Sequence, residues 1–171
     1  MKKTSRILRI VLIVILSLFL VGTMFVRHLR QMALPDYSKD ISLKGLYEPV
    51  EVIRDSLGIP HVFARNEHDL YMAVGYVLAQ DRMWQMDLLR RVTTGRLSEI
   101  FGSSFAATDQ LLRALRYTDK SKRILDSCSA ELKTALLSFS DGVNQYLEHQ
   151  GNKLPLEFRL LGYQPEPWEP V

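Results

Sequence analysis

The sequence predicts a mostly helical α+β domain that carries a β-hairpin at its edge and follows an apolar N-terminal helix. Three observations support this prediction. An apolar stretch runs from Ile10 to Val26, residues 50–64 alternate and turn as a pair of strands does, and the later segments repeat apolar residues every three or four positions. The helical segments are longer than the strands, so helices dominate the predicted fold.

Residues 1–30 have the layout of a membrane anchor or an export signal. Lys2, Lys3, Arg6 and Arg9 precede the apolar stretch Ile10–Val26. The stretch is near the lower length limit for a membrane-spanning helix, is longer than many cleaved signals, and has no clear A-x-A cleavage site after it. An uncleaved signal-anchor is therefore the first expectation, a cleaved signal peptide the second and a buried core helix the third. More basic residues precede the stretch than follow it, which predicts a periplasmic or extracellular body.

The charge of the remaining chain argues against nucleic-acid binding. Six of the 22 Lys and Arg residues lie in positions 1–30, whereas all 19 acidic residues come later. The body therefore has 16 basic and 19 acidic side chains, a formal charge of −3, and lacks the basic excess that phosphate backbones attract. The one cysteine, Cys128, has no intrachain partner for a disulfide. Roughly 140 residues remain, enough for one core of ordinary size.

A linker and a hairpin are predicted next. Residues 31–48 mix proline, glycine and charged residues without a period, so we expect a linker between the N-terminal segment and the body. From Pro49 the chain alternates through Val50, Val52 and Arg54, turns at residues 56–58, and resumes an extended apolar run from Ile59. Two short strands joined as a hairpin are the predicted structure.

A long helix is predicted over Glu67–Thr94. Asn66 followed three residues later by Asp69 resembles a capping box, and Gly95 offers a left-handed stop. The residues expected to form its buried stripe are Leu70, Val74, Val77, Leu78, Trp84 and Leu88.

Asp81 interrupts this stripe one turn after Val77 and is expected to point partly inward. A bare carboxylate there would cost several kcal/mol, so it requires a partner. The neighbouring Arg82 faces elsewhere on the helix, which favours an Arg or a backbone donor from another element. We interpret Asp81 as a structural residue in a buried ion pair, the alternative being a pocket lined by Gln80, Asp81, Arg82, Trp84 and Met86.

Three shorter helical segments follow. Residues 97–102 predict one extra turn, and Thr108 or Asp109 can cap a helix that carries Leu111, Leu112 and Leu115. Ser129 can cap the next helix, and Gly151 lies beyond its end as a stop signal. The apolar residues of that helix are Leu132, Leu136, Phe139, Val143, Tyr146 and Leu147. A short apolar segment, Leu154–Leu161, precedes a proline-rich end.

No catalytic or metal site assembles from the sequence. His28, His61, His68 and His149 are scattered, and no two have the spacing of a zinc site. There is no G-x-S-x-G motif and no phosphate-binding glycine loop. We therefore expect no catalytic, substrate-binding or metal-ligating residue in this chain.

Several segments in one order resemble a known family. They are Pro49–Asp55, Gly58–Val62, Gly75–Met86, Gly95–Gly102, Leu154–Phe158, Leu161–Tyr163 and Pro165–Trp168. Together they resemble the start of the α-subunit of the penicillin acylase, or penicillin amidase, family. The resemblance covers nearly everything after the linker, and it predicts that residues 49–171 are the N-terminal portion of such an α-subunit.

The resemblance implies a four-layer αββα N-terminal-nucleophile hydrolase. Such precursors cut themselves into α- and β-subunits, and the first residue of the β-subunit, usually Ser, attacks an acyl amide. Its freed α-amino group acts as the base, which suits an unperturbed pKa near 8. The substrates implied are penicillins, cephalosporin-type side chains and N-acyl homoserine lactones. Calcium is possible in the complete enzyme, and the partner is the β-subunit of the same precursor.

This resemblance supplies no site residue within the chain, because the family's nucleophile, its oxyanion-hole residues and most of its calcium ligands follow Val171. Gly102-Ser103 lies too early to be the processing junction, and Ser104-Phe105 lacks the expected Asn context. The leading hypothesis is thus the N-terminal fragment of an exported acylase precursor, inactive by itself. The alternative is a membrane-anchored, non-catalytic helical module that binds a partner.

Overall fold

The computed structural model describes residues 2–33, 35–151 and 153–171. It divides into two compact units, residues 1–34 and residues 35–171. The first unit is the helix α1, and the second contains the remaining elements. In chain order the elements are α1 (Lys2–Ala33), β1 (Glu51–Arg54), β2 (Pro60–Phe63), α2 (Glu67–Thr94), α3 (Ser98–Phe101), α4 (Ala106–Ala114), α5 (Tyr117–Ser127), α6 (Ala130–Gln150) and α7 (Leu156–Leu161).

Helix α1 contains a stretch, Arg9–Arg27, that is long and apolar enough to cross a membrane. Its apolar side chains are exposed throughout that stretch. A signal sequence has the same length and composition, so the structure is consistent with both of the first two expectations for this segment. The exposure of the helix does not fit the third expectation, a buried core helix.

The predicted hairpin is confirmed. Strands β1 and β2 pair antiparallel, with Val52 opposite Val62 and Ile53 opposite His61. The Asp55 carboxylate closes the turn by accepting the backbone N–H groups of Leu57 and Ile59, each at 2.9 Å. The hairpin is the only sheet among the described residues, so the fold is mostly helical as predicted.

The predicted bounds of α2 are also confirmed. The Asn66 side chain accepts the Asp69 N–H at its start, and Gly95 adopts the left-handed conformation at its end. The sequence did not predict that Arg82 has non-helical dihedral angles (φ −139°, ψ 18°), which kink the helix in its middle.

The predicted buried stripe of α2 is partly wrong. Leu78 is 41% exposed, and Leu70, Val74, Trp84 and Leu88 are only half-buried. The deeply buried positions include Met72, Ala73, Gly75, Tyr76, Val77, Ala79 and Met83. The predicted stripe was chosen by its bulky apolar residues. The face that is buried instead carries the small residues Ala73, Gly75 and Ala79, which allow another helix to pack closely.

Helix α6 packs along this face of α2 with the two backbones in contact. A Cβ added at Gly75 would lie 2.1 Å from the carbonyl oxygen of Phe139, and one added at Gly142 would lie 2.0 Å from that of Met72. Only glycine permits such an approach. The core that grows from this crossing consists of Tyr76, Ala79, Met83, Val143, Tyr146, Leu154 and Phe158.

The segment between the two long helices corrects one prediction. Helix α4 begins at Ala106, so Thr108 and Asp109 both lie inside its first turn and neither caps it. The Asp109 carboxylate instead accepts the N–H groups of Leu97 and Ser98, at 2.9 and 2.8 Å, and so caps the start of α3. Arg116, at φ +53°, then separates α4 from α5.

The caps predicted for α6 are confirmed. The Ser129 hydroxyl accepts the Leu132 N–H at 3.2 Å, and Gly151 ends the helix with a positive φ. The apolar segment predicted at residues 154–161 contains α7, whose Phe158 is 1% exposed. Leu132, one of the apolar residues at helical spacing, is 47% exposed, because the face of α6 that meets α2 is centred on Gly142 and Val143.

Candidate functional site

A cavity of about 330 Å³ lies where the segment after α1 passes β1 and α2. Such a volume is at the lower end of small-molecule pockets. Its wall is mixed, since the passing segment contributes polar side chains together with Ile41, Leu43 and Leu46, and the side of the body is mainly apolar. The body residues in the wall are Val50, Val52, Arg54, Ala73, Tyr76, Val77 and Gln80.

Asp81 lies beside this cavity and has the kind of partner that the sequence predicted. Arg54 Nη1 donates to Asp81 Oδ2 at 2.8 Å, and Arg54 Nη2 donates to Asp81 Oδ1 at 3.0 Å. The two side chains are 17% and 18% exposed, so the pair is partly desolvated. An Arg from another element, strand β1, therefore compensates the carboxylate of α2 in bidentate geometry.

Two further groups complete this cluster. The Tyr37 hydroxyl donates to Asp81 Oδ1 at 3.0 Å, and the Arg54 guanidinium lies 4.0 Å from the centre of the Tyr37 ring. Arg54 also donates to the Gln80 side chain and to the carbonyl of Gly58. Burial and the hydrogen bond to Asp81 raise the pKa of Tyr37. Both oxygens of Asp81 accept hydrogen bonds, and the cluster holds three chain segments together.

The alternative pocket predicted around residues 80–86 does not form as one site. Gln80 lines the cavity, but Arg82 is exposed and reaches only Gln85 among the described residues, at 3.4 Å. Trp84 and Met86 pack against the hydrophobic core and are not among the residues that line the cavity. Residues at these spacings point in different directions around a helix, so they cannot all face one cavity.

The segment after α1 is bound to the body at two other points. The Gln145 side chain accepts the Lys44 N–H at 2.7 Å and donates to the Lys44 carbonyl at 2.9 Å. Asp69 accepts the N–H groups of Tyr47 and Glu48 at 3.0 and 2.9 Å. Residues 35–48 therefore lie against α2 and α6. The sequence predicted a linker here and did not predict these contacts.

Asp69 is a buried carboxylate whose burial the sequence does not predict. Its side chain is 1% exposed and also contacts Asn66 Nδ2 and His68 Nδ1, at 2.6 and 3.0 Å. Burial alone would raise the pKa of Asp69, but these hydrogen bonds together with the two backbone N–H groups lower it to about 2. Asp69 is therefore ionised at neutral pH and holds the backbone of Tyr47 and Glu48, just before β1, against α2.

Asp87 is a second buried carboxylate, with a fully buried side chain. It accepts hydrogen bonds from Arg90, from Arg91 Nε at 2.9 Å and from the Tyr163 hydroxyl at 3.0 Å. Burial and the charge of Asp87 raise the pKa of Tyr163 to about 12. The spacing of Asp87 to Arg90 and Arg91, three and four residues on, is a sequence signal that could have revealed this ion pair.

The end of the chain is clamped onto the same helices. Arg96 binds both oxygens of the Glu166 carboxylate, at 2.6 and 2.7 Å, and holds the pKa of that carboxyl at about 2. Arg90 donates to the carbonyls of Glu166 and Pro167. Asn144 exchanges two hydrogen bonds with the Trp168 backbone, at 2.6 and 2.9 Å. These contacts fix a segment that has no regular secondary structure.

The buried carboxylates thus link separate segments of the chain. Asp69, Asp81, Asp87 and Asp109 each tie a non-helical segment or the hairpin to a helix. The described residues contain no group of three or more His, Cys, Asp or Glu side chains that could hold a metal ion. The arrangement is a scaffold, and its function is indicated by the proteins that share it.

The scaffold has a close counterpart among solved structures. It superimposes on a thermostable penicillin G acylase from Alcaligenes faecalis with a TM-score of 0.66 and 34% sequence identity, covering 71% of this chain and 66% of that one. The fold class is therefore that of the N-terminal-nucleophile hydrolases, of which the described helices and edge hairpin form part. This confirms the fold class predicted from the sequence.

The sequence model described as penicillin amidase matches residues 49–171, more than half of the chain. The chain belongs to the penicillin amidase family. It is 45% identical over 144 residues to the penicillin acylase 2 proenzyme of Pseudomonas sp. strain SE83. It is 38% identical over 140 residues to the acyl-homoserine lactone acylase QuiP of Pseudomonas fluorescens strain Pf0-1, and 32% identical over 125 residues to penicillin G acylase of Escherichia coli.

The matched regions cover most of this chain but little of these relatives. The alignments cover 84%, 82% and 71% of the chain, and 18%, 17% and 15% of the respective relatives. The chain thus spans less than a fifth of the length of the curated relatives it matches. The family follows from these comparisons, and its relatives are named as penicillin acylases and as an acyl-homoserine lactone acylase.

Proposed function

We propose that this chain is the N-terminal part of the α-subunit of an exported acylase precursor that hydrolyses acyl amides. The observation that carries the proposal is the 45% identity over 144 residues to a relative named as a penicillin acylase proenzyme. The penicillin amidase match to residues 49–171 supports it over the whole segment after the linker.

In this proposal the chain supplies scaffold and another part of the protein supplies chemistry. The nucleophile is the N-terminal Ser of a β-subunit, whose α-amino group takes up the proton as the Ser oxygen attacks the amide carbonyl. An acyl-enzyme forms, the amine leaves, and water then releases the acid. The buried carboxylates Asp69, Asp81, Asp87 and Asp109 hold the segments of the α-subunit in place. The role of Asp81 is therefore structural.

The proposal also assigns a location. Residues 1–30 serve as a signal-anchor, residues 31–48 connect it to the body, and residues 49–171 lie in the periplasm or outside the cell. A cleaved and secreted form is the second choice. The exposed apolar stretch of α1 supports export, because such a surface is stable in a membrane and not in water.

The experiment begins with the reading frame. Sequencing past the codon of Val171 tests whether the frame continues to a Gly-Ser-Asn junction, where the proposal places the processing site. The protein from the complete frame is then assayed with a phenylacetyl amide, a long-chain acyl amide and an N-acyl homoserine lactone. We expect hydrolysis of at least one substrate, and none by the 171-residue chain alone.

Two results would overturn the proposal. Measurable hydrolysis by the 171-residue chain would show that the nucleophile lies within it. A stop codon directly after Val171, with a stable monomeric product that melts cooperatively, would instead favour the alternative of a membrane-anchored module that binds a partner.

A further inference from the structure

Residues 36–42 form a segment that covers part of the cavity and buries none of its own side chains. We call this segment the lid. Each of its residues is exposed, and residues 36–41 line the cavity. On the side of the body, by contrast, the wall residues Ala73 and Val77 are buried, at 4% and 7% exposure. The lid is therefore the loosely packed side of the cavity, and α2 is the tightly packed side.

A single side chain of the lid is bound to the body within the residues that the structure describes. The Tyr37 hydroxyl donates to Asp81 Oδ1 at 3.0 Å, and its ring lies against the Arg54 guanidinium. The other polar contacts of the lid are internal, since Asp36 binds the two residues that follow Tyr37. Tyr37 is itself 50% exposed, so one half-exposed side chain fastens the lid.

The group that receives Tyr37 is complete without it. Arg54 and Asp81 form a bidentate pair at 2.8 and 3.0 Å, and Arg54 also donates to the side chain of Gln80. When Tyr37 leaves, Asp81 keeps both hydrogen bonds from Arg54, and water can replace the hydroxyl because the pair is partly exposed. No bare charge is left in the body, so the release of Tyr37 costs little.

The chain after the lid is held much more firmly. Leu43 packs against the core, and the backbone of Lys44 exchanges two hydrogen bonds with Gln145. Two residues after Gly45, the backbone is bound by Asp69, and detaching it would leave a buried carboxylate without donors. Gly45 lies between these attachments at φ +89°. Movement of the chain is therefore confined to the residues before Leu43.

We propose that the lid opens as a gate to the cavity, with Tyr37 as its latch and residues 43–46 as its hinge. Local opening begins in segments that have few buried contacts, and the lid is such a segment between two better-held parts of the body. Opening gives a small molecule access to a wall that is mainly apolar. The gate is independent of the proposed activity, because its contacts all lie within this chain.

Thiol labelling of the cavity wall tests the gate in protein made from the complete reading frame. The probe is Ala73→Cys, and the reference is Ala135→Cys, which is buried at 7% exposure but does not line the cavity. A methanethiosulfonate reagent labels both, and mass spectrometry locates the label. We expect the probe to react at least about tenfold faster than the reference, because local opening is more frequent than global unfolding.

The latch is tested by Tyr37→Phe, which removes the hydroxyl and keeps the ring over Arg54. We expect it to accelerate labelling of the Ala73→Cys probe about fivefold, the effect of one lost hydrogen bond, and to leave the reference unchanged. The matched control is Tyr71→Phe, at an exposed tyrosine of α2 outside the cavity, which should change neither rate. Val77→Cys, also in the cavity wall, is a second probe and should give the same order of rates.

Three results would overturn the gate. Equal labelling rates for the probe and the reference would show that only global unfolding reaches the cavity wall. A probe rate that Tyr37→Phe does not change would show that the hydroxyl of Tyr37 is not a latch. An equal acceleration of probe and reference by Tyr37→Phe would show that this hydroxyl stabilises the whole body and not the lid.

Discussion

The contact between α2 and α6 supports a quantitative prediction for Gly142→Ala. A Cβ at this position would lie 2.0 Å from the Met72 carbonyl oxygen and 2.9 Å from the Tyr76 nitrogen. Real Cβ atoms do not approach heavy atoms closer than 3.0 Å, so the helices must separate by at least about 1 Å. The obstructing atoms belong to the backbone of a packed helix, which cannot rotate away as a flexible side chain does.

The expected cost follows from two opposing terms. Overpacking of a core costs about 1–3 kcal/mol, and the rigid backbone places this site at the upper end. Replacing Gly by Ala inside a helix contributes about 1 kcal/mol of stability through helix propensity. We therefore expect a net loss of about 2 kcal/mol in the free energy of unfolding. Gly75→Ala should behave alike, because its Cβ would lie 2.1 Å from the Phe139 carbonyl oxygen.

Urea unfolding followed by circular dichroism measures this loss. The control is Asp141→Ala, at the exposed neighbour of Gly142, which should change the free energy of unfolding by less than about 0.5 kcal/mol. A Gly142→Ala variant as stable as the unmodified protein, or more stable, would refute the reasoning. It would mean that only the propensity term operates and that the two backbones are not in contact.

Three other predictions concern charge and capping. Asp81→Ala should lower the free energy of unfolding of the complete protein by about 3 kcal/mol, the low end for broken buried pairs because Arg54 is 17% exposed. A melting temperature unchanged within a degree would contradict this. Asp69 and Glu166 both have a pKa of about 2, below their ordinary values of 3.8 and 4.5. Their stabilisation is therefore complete above about pH 5 and is lost as the pH falls towards 2, whereas equal urea midpoints at pH 5 and pH 2 would refute it. Asn66→Ala should cost about 1 kcal/mol, measured by urea unfolding, since the cap of α2 is lost; no change would show that water replaces it.

Local signals explain why the element boundaries were predictable. Asn66 and Gly95 act within a few residues of the helix they bound, so the limits of α2 could be read from neighbouring positions. The same holds for Ser129 at the start of α6 and for the turn between β1 and β2. The partner of Asp81 was predictable only as a type, because the sequence shows that a buried carboxylate needs a cation and not which cation arrives.

Contacts between distant segments explain the failures. Asp109 has the residue type and position of a helix cap, and only the fold shows that it caps α3 and not α4. The buried face of α2 was misjudged because Ala73, Gly75 and Ala79 are inconspicuous in a sequence and gain importance only against Gly142. The burial of Asp69 depends on hydrogen bonds from the backbone N–H groups of Tyr47 and Glu48, and no sequence pattern predicts that contact.

The sequence by itself determined the order and bounds of the main helices, the hairpin, the apolar N-terminal segment and the resemblance to the penicillin amidase family that the comparisons confirmed. Caps, turns and periodicity depend on residues close together in the chain, and the family segments occur in a fixed order. The secondary structure and the family can therefore both be predicted from the sequence. Only the tertiary structure decided which helix faces meet, where α2 bends and which carboxylates are buried. Those outcomes depend on how closely two backbones approach and on which donors reach a carboxylate, and both are set by residues far apart in the chain.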